Sequence, residues 1–225
     1  MTNKAQRKLV VFDIDGTLLD SMPKLTADVR RTFQRLGLGN RVTDEQIRNT
    51  KDWYELVAQY GISREQFDRE LNRRKSWTQS LRDGEAPLFG DVRYCLEALT
   101  GASITLAALT RSDPKCTAEK IDYHGLSRYF GGRVAVTPVT AKSKEAEALE
   151  LVKRVGAETV SRAYFIGDKP EDVQVAPSVQ RALGVPSTGI YLNRNGSLAP
   201  GEVHEYRQIR SLEEIPAIVG GYNGR

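Results

Sequence analysis

The chain predicts an α/β fold, a mostly parallel sheet with helices on both faces and an all-helical segment inserted after the first strand. Three features of its 225 residues carry that expectation. Short apolar runs at residues 9–12, 104–109 and 163–166 are continuous rather than alternating, as in strands covered on both faces. Helical periodicity fills the stretches between the later runs, as crossovers between parallel strands require. Residues 23–80 instead show helical spacing and capping signals with no strand pattern.

Composition narrows the class. Apolar residues make up 40% and charged residues 28%, ordinary values for a globular protein. No apolar run approaches the length of a membrane span, so no membrane partner is expected. Residues 1–8 are polar and lead directly into the first strand, so no signal peptide is expected. Cys95 and Cys116 form no metal or redox spacing and read as two free thiols in a reducing cytoplasm. The net charge of +4 suits anionic substrates. It is too weak to indicate nucleic acid, and the run Arg73-Arg74-Lys75 reads as a solvated helix face.

Taken in order, residues 9–12 are the first strand. Leu25, Val29, Phe33 and Leu36 recur at helical spacing across residues 23–37, with Pro23 in the first turn and Gly37 as a stop. Thr43 with Gln46 and Ser63 with Gln66 each read as a capping box. The first opens a helix or helix pair reaching Gly61, the second a helix reaching about Ser80. Val92, Leu96 and Leu99 mark a helix up to Gly101. The second strand is followed by a helix over 114–124, a short strand at 134–136, a helix ending at Gly156, and the strand at 163–166. Residues 183–192 read as turn and strand, 204–209 as a closing strand and 212–215 as a closing helix. His204 is read as structural.

The strand at 9–12 runs into Asp13-Ile14-Asp15-Gly16-Thr17-Leu18-Leu19-Asp20-Ser21. Alternation along an extended chain puts Asp13 and Asp15 on one side, where both carboxylates can face one point. Paired carboxylates at a buried strand end are costly unless a positive charge lies between them. A hard cation such as Mg²⁺ suits that place. The run resembles the first motif of the haloacid dehalogenase (HAD) superfamily, in its phosphatase form with a small helical cap, of the phosphoglycolate phosphatase kind. The resemblance implies a Rossmann-like core of residues 1–20 and 86–225 and a helical cap of residues 21–85. It makes Asp13 the nucleophile that forms an aspartyl-phosphate, and Asp15 the general acid/base. A carboxylate is a competent nucleophile, and a second carboxyl can shuttle the proton.

Further motifs follow in the order of that superfamily. Thr110, at the end of the second strand, matches the hydroxyl that holds the transferring phosphoryl group, and Arg111 is a candidate extra anion contact. The third motif is a lysine at a helix start, for which Lys144 is favoured over Lys142; Lys142 then remains a candidate substrate contact. Gly167-Asp168-Lys169-Pro170-Glu171-Asp172 matches the fourth motif, so Asp168 and Asp172 join Asp13 and Asp15 as expected Mg²⁺ ligands. Relatives often carry Ser or Thr where Lys169 stands. In capped relatives a turn between early cap helices reads the substrate, which by resemblance brings Lys51 to a substrate anion with Trp53 and Tyr54 beside it. The residues alone read more plainly as an amphipathic helix, with Trp53, Leu56 and Val57 packed in the cap.

The expected activity is Mg²⁺-dependent hydrolysis of a small phosphomonoester. A sugar-phosphate mutase shares every core motif, and a non-catalytic phospho-ligand binding protein is the alternative from another class. A dehalogenase would not carry an acid at Asp15, and a phosphonate hydrolase would need a Schiff-base lysine in the cap, with Lys24, Lys51 and Lys75 as candidates. Residues 21–85 hold 13 Lys/Arg against 10 Asp/Glu, a mild preference for anionic substrates. Sugar phosphates, phosphoglycolate and nucleotides stay open, as does the oligomeric state.

Overall fold

The computed structural model describes residues 6–50, 53–137, 141, 143–196 and 201–220, leaving aside the side chains of residues 48 and 49. Its strands are β1 (Arg7–Phe12), β2 (Thr105–Thr110), β3 (Val134–Val136), β4 (Val160–Gly167), β5 (Ser187–Leu192) and β6 (Arg207–Ile209). They form one sheet in the order β3-β2-β1-β4-β5-β6 with every neighbouring pair parallel. The strand order reverses at β1, and in open sheets of this kind ligands bind beyond the carboxyl ends at such a switch point. Register places Phe12 opposite Ala108 on one side and Ile166 on the other. The residues that follow these three strands therefore emerge along one edge.

Between β1 and β2 lie α1 (Met22–Arg35), α2 (Asp44–Asn49), α3 (Trp53–Ala58), α4 (Arg64–Leu71), α5 (Trp77–Arg82) and α6 (Val92–Gly101). Next come α7 (Pro114–Tyr123), α8 (Ser127–Phe130), α9 (Glu145–Val155), α10 (Pro170–Leu183) and α11 (Ile215–Gly220). One face of the sheet buries Leu9, Val11, Ala107, Leu109, Ala163 and Phe165 against α9 and α10. Strand alternation turns Val10, Phe12, Leu106, Ala108 and Ile166 to the other face, where they are also buried; α6 packs on β2 there and α11 on α6. Burial on both faces is why these strands read as unbroken apolar runs.

The chain divides into two compact units, Met1–Leu19 with Leu88–Arg225, and Asp20–Pro87. The sequence placed the divisions at 20/21 and 85/86. The second unit contains α1 to α5 and has its own core, including Val29, Phe33, Leu38, Ile47, Val57 and Phe67. Thr43 and Ser63 close the two capping boxes that the sequence predicts, each accepting from the backbone N–H three residues on. The helix expected to run on to about Ser80 is in fact two. Asn72 ends α4, and Ser76 restarts the chain as the cap of α5, accepting from Gln79 N–H at 3.2 Å. Its hydroxyl offers the backbone an alternative to a continuous helix. Trp53 and Tyr54 pack against this unit's core, and their polar tips reach the Ile47 carbonyl and Asp68. Lys51 and the turn around it lie outside the described residues.

The tail also departs from expectation. The closing strand is confined to Arg207–Ile209, and His204 lies in the turn before it. Among the described residues no disulfide forms; Cys95 is buried and Cys116 half-buried. Among the described residues no helix is long and apolar enough to cross a membrane.

Candidate active site

The carboxyl edge of the sheet gathers acidic groups around one buried amine. Asp13 follows β1, and its N–H still donates to the Ile166 carbonyl of β4 at 2.9 Å, so its backbone is fixed to the sheet. Asp168 follows β4, and Asp172 stands in the first turn of α10, accepting from Lys169 N–H at 2.9 Å. Carboxylate oxygens of Asp13, Asp168 and Asp172 all lie within 4.8 Å of one another. Lys144 stands immediately before α9 and sends its Nζ to Asp13 Oδ1 and Asp172 Oδ1, both at 2.6 Å, and to the Leu109 carbonyl at 3.3 Å.

Two glycines leave room for this packing. A Cβ on Gly167 would stand 2.2 Å from Asp172 Oδ2. A Cβ on Gly16 would stand 2.4 Å from Asp168 Oδ2, and Gly16 also needs a φ of +88° that L side chains rarely adopt.

Burial, with Asp172 and Asp168 nearby, pushes the Asp13 carboxyl from 3.8 up to about 8, although Lys144 pulls it down. Burial and Asp172 push Asp168 up to about 6 against the opposing pull of Lys169. Burial alone would lower the Lys144 amine, but Asp13 and Asp172 outweigh it and raise it above its ordinary value. The cluster thus holds more negative charge than one lysine satisfies. Three converging carboxylates with this deficit fit a divalent metal, a hard cation that favours oxygen ligands.

The deficit has a measurable consequence. With folded pKa values above the unfolded ones, the native state binds more protons between about pH 4 and 8. Metal-free stability therefore falls as pH rises through that window. The thermal midpoint of EDTA-treated protein is expected to drop from pH 5 to pH 8, and a divalent cation should raise it more at pH 8 than at pH 5. An equal gain at both values would show that the cation binds elsewhere.

The other predicted residues distribute differently. Thr110 is buried at the end of β2, next to β1. Lys142 lies outside the described residues. Arg111 turns to Glu171, with Nη2 2.6 Å from Oε2 and Nε 3.3 Å from Oε1, and also donates to the Ala141 carbonyl. Its expected anion is therefore answered within the protein by a carboxylate. Asp15 does not join the three converging carboxylates. The strand ends at Phe12 and the chain turns, with Leu18 N–H and Leu19 N–H both donating to the Ile14 carbonyl. Alternation along an extended strand no longer applies at Asp15, whose carboxylate meets Lys120 instead.

Two residues went unread in the sequence. Lys120 of α7 places its Nζ 2.8 and 2.7 Å from the two oxygens of Asp15. Arg194, after β5, grips Asp91 at 2.7 and 3.0 Å and donates to the Thr17 carbonyl at 2.8 Å. Thr17 Oγ1 in turn donates to Asp168 Oδ1 at 3.0 Å. The turn after β1 is thereby tied to the acidic cluster.

A model of the haloacid dehalogenase-like hydrolase family matches residues 7–179. A phosphoglycolate phosphatase of Aliivibrio fischeri is 31% identical over 180 residues, covering 75% of this chain and 79% of that protein. One of Pseudomonas syringae pv. syringae is 26% identical over 226 residues, covering 92% of this chain and 78% of its own. Among solved structures, a predicted phosphatase from Clostridium acetobutylicum superposes with a TM-score of 0.72 at 17% identity, covering 96% of this chain and all of the other. The chain belongs to the haloacid dehalogenase-like hydrolase family. That family is one of hydrolases, and the relatives from Aliivibrio fischeri and Pseudomonas syringae are phosphoglycolate phosphatases.

Proposed function

We propose that the protein hydrolyses a small phosphomonoester of the phosphoglycolate kind in a Mg²⁺-dependent reaction through an aspartyl-phosphate at Asp13. The observation that carries this reading is the pairing of buried Asp13 with Lys144 at 2.6 Å inside the three-carboxylate cluster. Residues Asp13, Asp168 and Asp172 would hold the Mg²⁺, whose positive charge would keep the carboxyls ionised and offset the phosphoryl oxygens. A carboxylate oxygen of Asp13 attacks phosphorus as the ester P–O bond breaks, and Asp15 gives its proton to the departing oxygen. Asp15 then takes a proton from water, whose oxygen attacks the same phosphorus and frees phosphate and the Asp13 carboxylate. Lys144 neutralises charge on the nucleophile and phosphoryl group, and the Thr110 hydroxyl holds the latter.

Residues Asp20–Pro87 form the unit proposed as the cap, and a cytoplasmic setting suits two cysteines without a disulfide. The test is phosphate release from a panel of phosphomonoesters, phosphoglycolate and sugar phosphates among them, with Mg²⁺ and with EDTA. Release that requires Mg²⁺ is expected. Transfer of the phosphoryl group to a second position on the substrate, without free phosphate, would identify a mutase and overturn hydrolysis.

A further inference from the structure

Lys120 is an expensive residue where it stands. It lies on the buried face of α7 with Thr117 and Ile121 and is 1% exposed. An apolar side chain would serve packing there without the desolvation penalty of burying an ammonium. Its Nζ is met by both oxygens of Asp15, at 2.8 and 2.7 Å, and by Ser112 Oγ at 3.1 Å. The Asp15 side chain keeps 16% exposure, so its carboxylate is anchored by the lysine yet reachable from solvent.

We propose that Lys120 is a positioning residue for Asp15, fixing the plane of the carboxylate that serves the leaving group and so setting which leaving groups the enzyme handles. This inference rests on the acid/base reading of Asp15 above. A side chain attached by two rotatable bonds would otherwise sample several rotamers. Two charge-assisted hydrogen bonds to one ammonium select one of them. The contribution falls on the step in which the ester oxygen departs. It matters for an alkyl oxygen, which must be protonated as it leaves, and little for p-nitrophenolate, which leaves as an anion.

The experiment measures kcat/KM on phosphoglycolate and on p-nitrophenyl phosphate for the parent, Lys120→Met, Lys120→Arg and Asp15→Asn. Lys120→Met is expected to lose roughly 10²-fold on the alkyl ester, within the range of general acid catalysis, and only a few-fold on the aryl ester. Lys120→Arg, which can also grip a carboxylate with two donors, should recover much of the alkyl activity. Equal losses on both substrates, or none on either, would overturn the proposal, since a merely structural lysine affects both alike. Should Lys120→Met fail to fold, Ser112→Ala reads the same ratio through the oxygen 3.1 Å from Nζ; an unchanged ratio there overturns it too. If Asp15→Asn spares the alkyl ester, the acid/base reading itself falls. If Asp15→Asn shows the split and Lys120→Met does not, only the role of Lys120 falls.

Discussion

Asp13→Asn is expected to reduce phosphate release by at least about 10⁴-fold, the scale on which loss of a covalent nucleophile acts, while leaving the fold intact. The amide preserves the shape of the side chain but offers no anionic oxygen to phosphorus. Stability should not follow activity. The Asp13 carboxyl is already pushed up to about 8 by its burial and its acidic neighbours, so an ionised Asp13 weakens the metal-free fold at high pH. The substituted amide carries no charge, and Lys144 retains its 2.6 Å partner Asp172. The metal-free variant should therefore melt at or above the parent's temperature at pH 8, with the difference shrinking towards pH 4. Rapid acid quenching of the parent with labelled substrate should trap a phosphoryl group on the protein, and the variant should trap none. Turnover retained by Asp13→Asn would remove the aspartyl-phosphate from the mechanism.

What the sequence revealed and what it hid separate along one physical line. Features set by local backbone geometry were legible. Continuous apolar runs gave the strands, because burial on both faces imposes that pattern, and hydroxyl–Gln pairs gave the starts of α2 and α4. Asp13, Thr110 and Asp168 were singled out by their resemblance to the family's motifs, and a parallel sheet delivers the residues that follow its strands to one edge. Features set by where a long side chain goes were hidden. Lys120 sits at a position where periodicity counts a lysine as solvent-facing, and its partner is 105 residues away. From the sequence Arg111 reads as a candidate extra anion contact, because nothing local announces Glu171, 60 residues on. The pairing of Asp13 with Asp15 failed for a related reason: period two holds only while the chain stays extended, and β1 ends at Phe12. The break between α4 and α5 was legible in Ser76, a capping residue three positions before Gln79, but the surrounding helical pattern masked it.

Lys144→Met is expected to damage both catalysis and stability, in contrast to Asp13→Asn. The lysine is buried between Asp13 and Asp172, with Nζ 2.6 Å from each. Removing one member of a buried ionic cluster leaves its partners uncompensated, which costs about 3–5 kcal/mol. For a chain of this size that corresponds to a fall in midpoint of about 6–20 °C. The loss should be larger at pH 8 than at pH 6, because at the lower pH Asp13 and the neighbouring Asp168, whose pKa values are raised, escape the penalty by taking up protons. A divalent cation should restore part of the midpoint, since it supplies charge to the same oxygens. It should not restore turnover, which is expected to stay roughly 10²–10³-fold down, the scale for deleting one preorganised donor to a developing anion. The Lys142→Met variant distinguishes the two lysines of this segment. If Lys144→Met stays within a few-fold of the parent and Lys142→Met does not, the phosphoryl-neutralising role passes to Lys142 and the 2.6 Å pairs of Lys144 are structural only.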